Sequence, residues 1–234
     1  MRLNMSRYLL ANWKSNKTIS EAEAWLERFC HIHHPDPQLK VIIAPPVPFL
    51  APMWLKLQKI KVPNLALAIQ DLSPFPSGSY TGGVAAEMVC DFVEYAILGH
   101  AERRRYFHET NQEIANKVSE AVAVGIKPIV CVDHPYARGQ LAAIDEADAD
   151  GLIIGYGPVE AAGIDIPQAP AKVIEAIAEI QTIAPGKPIL YGGSVNKDNV
   201  GDYIKLDGVS GVMVGTASLD PEEFASIGRK ISLA

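Results

Sequence analysis

The stretch Tyr8-Leu9-Leu10-Ala11-Asn12-Trp13-Lys14 decides between the two folds open to this chain. An unbroken run of apolar residues suits a strand covered on both faces, as strands of a parallel sheet are. An open, doubly wound sheet that holds a dinucleotide carries a GxGxxG turn after its first strand, because the backbone there must approach a pyrophosphate closely. Here Ala11-Asn12-Trp13-Lys14 stands in that place. The open sheet is therefore the second choice, and a closed barrel the first.

Seven further apolar runs follow, at 41–44, 65–69, 95–98, 128–132, 152–154, 188–190 and 211–214. They too are near-continuous rather than alternating. Between them lie helical patterns with recognisable starts. Ser20 and Glu23 have the spacing of a capping box before Trp25, Leu26 and Phe29, and Thr110 and Glu113 repeat it before Ile114, Val118 and Val122, with Gly125 as a stop. Pro170 opens a third pattern, and Asp220 with Pro221 reads as an N-cap and first helical residue. The spacing also predicts a short helix within 196–203, one modest helix within 133–148, and a longer one over 47–60 broken near Pro52. Eight strands alternating with helices, without a linker or composition shift, predict one closed eightfold α/β barrel, a single domain over 1–234.

The composition fits that size of core. The chain has 234 residues, 48% of them hydrophobic and 21% charged, with a net charge of −6. That balance offers no electrostatic footprint for nucleic acid or an anionic membrane. No stretch approaches the roughly 18 apolar residues of a membrane span. Cys30, Cys90 and Cys131 are odd in number and lack CxxC spacing, which argues against disulfides or a zinc site and for a reducing cytoplasm. Cys30, His31, His33 and His34 fall at a helix end before Pro35 and read as an ordinary terminus rather than metal ligands. Trp13, Trp25 and Trp54 read as packing residues, and Arg103 and Arg104 as partners in structural ion pairs.

A barrel of this kind builds its site at the carboxyl ends of its strands. Asn12 and Lys14 follow the first run, Gln70 and Asp71 the third, His100 and Glu102 the fourth, Gly192, Gly193 and Ser194 the seventh, and Gly215, Thr216 and Ser218 the eighth. The glycine turns after the last two runs either cradle a phosphate with backbone N–H groups or simply close tight turns, and their joint position favours phosphate. Lys14 supplies a point charge for the same anion. In Ile97-Leu98-Gly99-His100-Ala101-Glu102-Arg103-Arg104 an apolar run breaks into an imidazole and dense charge. By itself that is as consistent with a solvated strand end as with chemistry.

Five motifs in register settle that choice. Ala-Asn-Trp-Lys-Ser-Asn at 11–16, Gly-Ser-Tyr-Thr-Gly-Gly at 78–83, Gly-His-Ala-Glu-Arg-Arg at 99–104, Tyr-Gly-Gly-Ser-Val at 191–195 and Val-Gly-Thr-Ala-Ser at 214–218 together resemble the triosephosphate isomerase family, over essentially the whole chain. The resemblance implies a (β/α)8 TIM barrel that exchanges dihydroxyacetone phosphate with glyceraldehyde 3-phosphate through an enediolate, with no cofactor and no metal. It implies that Asn12 and Lys14 hold the substrate and its developing charge, that neutral His100 polarises the carbonyl, and that Glu102 bonds Lys14. Gly163, Ser194, Gly215 and Thr216 take the phosphate-binding positions. The loop at 71–83 resembles the family's dimer arm, implying a homodimer.

The sequence departs from the family at its lid. Where the family has Tyr-Glu-Pro, with the Glu as catalytic base, this chain has Tyr156, Gly157 and Pro158. The far hinge reads Gly163-Ile164-Asp165, Ala101 follows the His in place of Ser, and Thr216 replaces a Gly. The segment between Cys131 and Tyr156 is short and lacks the Gly-Glu usual after the Cys. Loss of a general base costs on the order of 10²- to 10⁴-fold in rate, so impaired isomerisation is expected. Glu160 or a water molecule is a conceivable substitute, but a misplacement of about 1 Å can itself cost about 10²-fold. Two alternatives follow: a non-catalytic relative binding a triose phosphate or a partner protein, and an isomerase of another small phosphate ester.

Overall fold

The computed structural model describes residues 7–158 and 167–234. Eight parallel strands, β1 (Arg7–Asn12), β2 (Leu39–Ala44), β3 (Leu65–Ile69), β4 (Tyr95–Leu98), β5 (Lys127–Val132), β6 (Ile153–Tyr156), β7 (Ile189–Tyr191) and β8 (Val209–Val214), pair in sequence order. β8 then pairs with β1, through Tyr8 against Gly211 and Ala11 against Val214, and closes the barrel. The open sheet is excluded by that last pairing.

Why the strands are apolar throughout is visible in the two cores. Leu10, Ile42, Ala68, Ile97, Ile129, Ile153, Leu190 and Met213 form a cluster inside the barrel. Their neighbours Leu9, Ala11, Val41, Ile43, Leu67, Leu98, Val130 and Val212 pack outward with the helices. Successive side chains on a strand point to opposite faces, so a strand buried on both sides must be apolar at every position.

The helices are α1 (Ile19–Ile32), α2 (Leu50–Ile60), α3 (Ala101–Tyr106), α4 (Asn111–Ala123), α5 (Ala137–Leu141), α6 (Pro170–Ile183), α7 (Val200–Ile204) and α8 (Pro221–Ser232). α1 is capped two residues earlier than its sequence suggests. Thr18, not Ser20, is the N-cap, and Glu21, not Glu23, completes the box by accepting from the Thr18 backbone N–H at 2.7 Å. That start aims Ala22, Trp25, Leu26 and Phe29 at the core. Thr110 and Glu113 cap α4 as expected, with Glu113 accepting from the Thr110 N–H at 2.8 Å. Asp220 caps α8 by accepting from the N–H groups of Glu222 and Glu223 at 2.7 and 3.1 Å. Pro170 occupies the first turn of α6, and Gly125, with φ of 80°, follows α4.

Pro52 does not break its helix. The segment 47–49 is a 3₁₀ turn that runs into α2, so Pro52 falls within the first turn, where a backbone N–H has no intrahelical acceptor to miss. The short helix at 137–141 sits inside the segment expected for it, and the one at 200–204 overlaps its segment and ends one residue beyond it. α3, which carries Glu102, is a helix the sequence pattern does not announce.

Among the described residues, no helix is long and apolar enough to cross a membrane. Trp13 and Trp25 are buried edge to face, ring centroids 4.9 Å apart, and Trp54 is half-buried against Phe92. Arg103 pairs with Asp71 at 2.8 Å and with Glu109 at 2.5 Å. Arg104 donates to the carbonyl of Gly99 and to Asn111 instead, in hydrogen bonds rather than the expected ion pair.

Candidate active site

The interior phase of the strands, carried two residues past the last core side chain, or four in β6 where Gly155 intervenes, names the floor of the site. From Leu10 it reaches Asn12, from Ala68 Gln70, from Ile129 and Cys131 Asp133, from Ile153 Gly157, from Leu190 Gly192, and from Met213 Gly215. The carboxyl-end mouth of the barrel is a cavity of about 500 Å³, lined by Asn12, Lys14, His100, Glu102, Asp133, Gly157, Gly192, Ser194, Gly215 and Thr216 among others. Of the positions singled out in the sequence, Asn12, Lys14, His100, Glu102, Gly157, Gly192, Ser194, Gly215 and Thr216 converge on it, Gln70, Asp71, Gly193 and Ser218 are not among its lining, and Gly163 and Glu160 lie outside the described residues.

One corner is built around Lys14. Its backbone adopts the left-handed region with φ of 51°, which a residue with a side chain enters only when its surroundings hold it there. Those surroundings are specific. The Lys14 N–H donates to Asn12 Oδ1 at 3.1 Å, and the Gln70 amide donates to the carbonyls of Lys14 and Ala44 at 3.0 and 2.8 Å. The ammonium is then drawn to Glu102, Nζ to Oε1 2.8 Å.

His100 caps α3. Its Nδ1 accepts from the Glu102 backbone N–H at 3.3 Å, which puts the proton of a neutral ring on Nε2. Glu102 Oε2 lies 3.6 Å from the same Nδ1. Burial holds the His100 pKa below its ordinary value, with Lys14 and Arg103 adding to that direction and Glu102 opposing it. The ring is thus a neutral hydrogen-bond donor rather than a cation.

The opposite wall is the pair of turns after β7 and β8. Ser194 is left-handed with φ of 50°, and its carbonyl accepts from the Asn199 side chain at 3.0 Å. Asn199 Oδ1 in turn accepts from the Asn196 N–H at 2.9 Å. Gly193 is required by close approach, since a Cβ there would collide with the Tyr191 hydroxyl. Gly215 precedes the 3₁₀ turn Thr216–Leu219, and its carbonyl accepts from the N–H and hydroxyl of Ser218 at 2.8 and 2.6 Å. Lys14 passes beside it, Cε 3.6 Å from where a Gly215 Cβ would stand.

Gly157 has room for a Cβ. Among the described residues it would meet only the carbonyl oxygen of Gly192, at the ordinary contact distance of 3.5 Å. Its N–H donates to the Val132 carbonyl at 3.3 Å, which ties it to the end of β5. The next residue along β5 is Asp133, a cavity-lining carboxylate that sequence reasoning missed. It is buried, 8% exposed, and Gln140 brackets it by accepting from its backbone N–H at 2.8 Å and donating to Oδ2 at 3.3 Å. Burial raises the Asp133 pKa, against the lowering influence of Gln140 and Arg104. The alternation Ile129, Cys131, Asp133 was the signal available. Cys131 also lines the cavity, but burial pushes its thiol up to about 12, so it stays neutral.

Gln70 follows β3 with no task evident from sequence. The structure gives it one, as the clamp of the Lys14 turn.

Comparison of the sequence with known proteins finds a family match. The family model described as triosephosphate isomerase matches residues 7–231. Similar proteins include the triosephosphate isomerases of Aquifex aeolicus, 32% identical over 95% of this chain and 98% of its own length, and of Thermus thermophilus, 34% identical over 95% and 98%. That of Mycoplasmopsis agalactiae is 34% identical over 94% of both chains.

Proposed function

The chain belongs to the triosephosphate isomerase family, and from that premise we propose that it interconverts dihydroxyacetone phosphate and glyceraldehyde 3-phosphate through an enediolate. The observation that carries the reading is a single one: a neutral His100, with its proton on Nε2, shares one cavity with an ammonium at Lys14 that Glu102 holds at 2.8 Å. A neutral imidazole and a fixed cation are the groups an enediolate oxygen needs, because charge develops on that oxygen in the transition state. Triosephosphate isomerase chemistry in general asks for those electrophiles, a carboxylate base and exclusion of water.

The roles follow from that geometry. Asn12 and Lys14 bind the substrate oxygens, His100 Nε2–H meets the carbonyl, and Glu102 positions Lys14. Backbone N–H groups at Ser194, Gly215 and Thr216 receive the phosphate, with Gly163 of the lid as a further donor. The loop at 71–83, exposed from Phe75 onward and with Phe75 and Tyr80 stacked at 4.5 Å between centroids, joins two copies in a homodimer. Cys30, Cys90 and Cys131 are free thiols, in keeping with a reducing cytoplasm.

Turnover is slower than in relatives that carry a Glu at this position, because Gly157 has no proton-transferring group. The experiment is isomerisation of glyceraldehyde 3-phosphate by the chain, beside binding of phosphoglycolate, an enediolate-like anion. Measurable isomerisation with phosphoglycolate binding is the expected result. Binding without turnover supports a second reading, favoured by Gly157 alone, in which the chain binds triose phosphates without converting them. Absence of both overturns the site.

A further inference from the structure

We propose that Asp133 is the carboxylate that transfers the carbon-bound proton in this chain. The inference rests on the isomerase reading above and concerns which side chain performs its central step. Three observations lead to it. Asp133 continues the interior series of Ile129 and Cys131 and lines the cavity it shares with His100 and Lys14. It stands at the end of β5, between the strand that leads to His100 and the strand that leads to Gly157, and the Gly157 N–H is bonded to the residue just before it. Gln140 holds both its backbone and its carboxylate, so the group is oriented rather than free to swing.

The chemistry balances with groups already present. An Asp133 oxygen takes the proton from the carbon beside the substrate carbonyl. The C–H electron pair becomes the carbon–carbon double bond of the enediolate, while the displaced carbonyl pair moves onto oxygen and is met by His100 Nε2–H and Lys14. His100 Nε2–H gives its proton to the former carbonyl oxygen and takes the proton of the neighbouring hydroxyl, and the protonated Asp133 returns its proton to the former carbonyl carbon as the other carbon becomes the carbonyl. No oxidant, metal or further reactant is consumed.

The electrostatic setting suits a base. Arg104 from α3 and Gln140 from α5 favour the ionised carboxylate, whereas burial disfavours it and raises the pKa; the buried Cys131 thiol stays neutral beside it. His100 faces the same cavity as a neutral ring. A carboxylate whose pKa burial raises is a stronger base than an exposed one.

The test compares Asp133→Asn with the parent chain. Expected are a loss of kcat by about 10²-fold or more, phosphoglycolate affinity retained within about threefold, and disappearance of the acid limb that the parent shows in kcat/KM. Retained phosphoglycolate binding separates loss of the base from loss of the fold or of the site. A variant that binds phosphoglycolate and turns over within about threefold of the parent overturns the proposal. So does a parent that binds phosphoglycolate but does not isomerise, or a loss of turnover in Glu160→Gln while Asp133→Asn keeps it. Should Asp133→Asn fail to fold, Asp133→Glu, which keeps the carboxylate and moves it by one methylene, must shift kcat by at least about tenfold with binding intact; an unchanged kcat overturns the proposal as well.

Discussion

His100 Nδ1 accepts the backbone N–H of Glu102 at 3.3 Å, so the ring is anchored by the first turn of its own helix. Protonating it would replace an acceptor with a second donor aimed at that N–H. Burial, Lys14 and Arg103 push the pKa down in the same direction. The folded chain therefore resists a proton that the unfolded chain takes up near the ordinary histidine value of about 6.5. Between the depressed folded value and about 6.5 the unfolded state binds more protons, so stability must fall as pH drops through that window. Urea unfolding of the parent and of His100→Gln between about pH 5 and 8 measures it. The parent should lose stability relative to the variant below about pH 6.5, and parallel curves would contradict the assignment.

Gly157→Glu should raise turnover. Among the described residues a Cβ at 157 meets only the Gly192 carbonyl oxygen, at the ordinary contact distance of 3.5 Å, so the backbone admits a side chain there. Because Asp133 already takes the proton in the parent, the gain should be smaller than the roughly 10²- to 10⁴-fold that a positioned base supplies to a site with none. Steady-state isomerisation kinetics decide it. A gain under about threefold would mean that the parent is not limited by the group missing from 157.

Lys117 is 3% exposed and bonds Asp71 at 2.7 Å and Glu109 at 2.6 Å. Removing its charge leaves two carboxylates facing each other in a buried setting, and Glu109 Oε2 already lacks a partner among the described residues. Lys117→Met should cost about 3 to 5 kcal/mol, the range for a broken buried pair. Chemical denaturation reads the loss directly. A cost under about 1 kcal/mol would show that Arg103 alone satisfies both acids.

Thr18→Ala should destabilise the fold by about 1 kcal/mol, the usual worth of an N-cap, while Ser20→Ala changes it by a few tenths at most. Thermal melting of the two variants discriminates the caps, and the reverse order would move the start of α1 back to the position expected from sequence.

Phe75 and Tyr80 stack at 4.5 Å and are each close to half exposed. In the homodimer proposed above, Phe75→Ser with Tyr80→Ser should weaken dimerisation by at least about tenfold, or roughly 1.4 kcal/mol, read by sedimentation across a dilution series. Unchanged association would remove the arm from the contact.

The barrel was legible because its strands are buried on both faces, which left near-continuous apolar runs such as Leu65-Ala66-Leu67-Ala68-Ile69. The α1 cap was not. Thr18/Glu21 and Ser20/Glu23 have the same spacing in the chain, and only the facing of Ala22, Trp25 and Phe29 toward the core selects one of them. His100, Lys14 and Asn12 were legible as polar residues directly after apolar runs. Asp133 occupies the same kind of place, in step with Ile129 and Cys131, but that signal is faint. Its neighbours His134 and Pro135 look like an ordinary turn, and which face of β5 points inward emerges only when the sheet closes. Pro52 misleads for a related reason, since a proline breaks a helix or opens it according to where the first turn begins.

The left-handed turn at Lys14 is clasped from a third strand by Gln70, so the corner that meets the ligand's negative charge is set when β1, β2 and β3 come together. Ligand affinity at that corner is consequently a readout of barrel integrity. Agents that loosen β3 should release the anion before secondary structure is lost, making ligand release an early signal of partial melting.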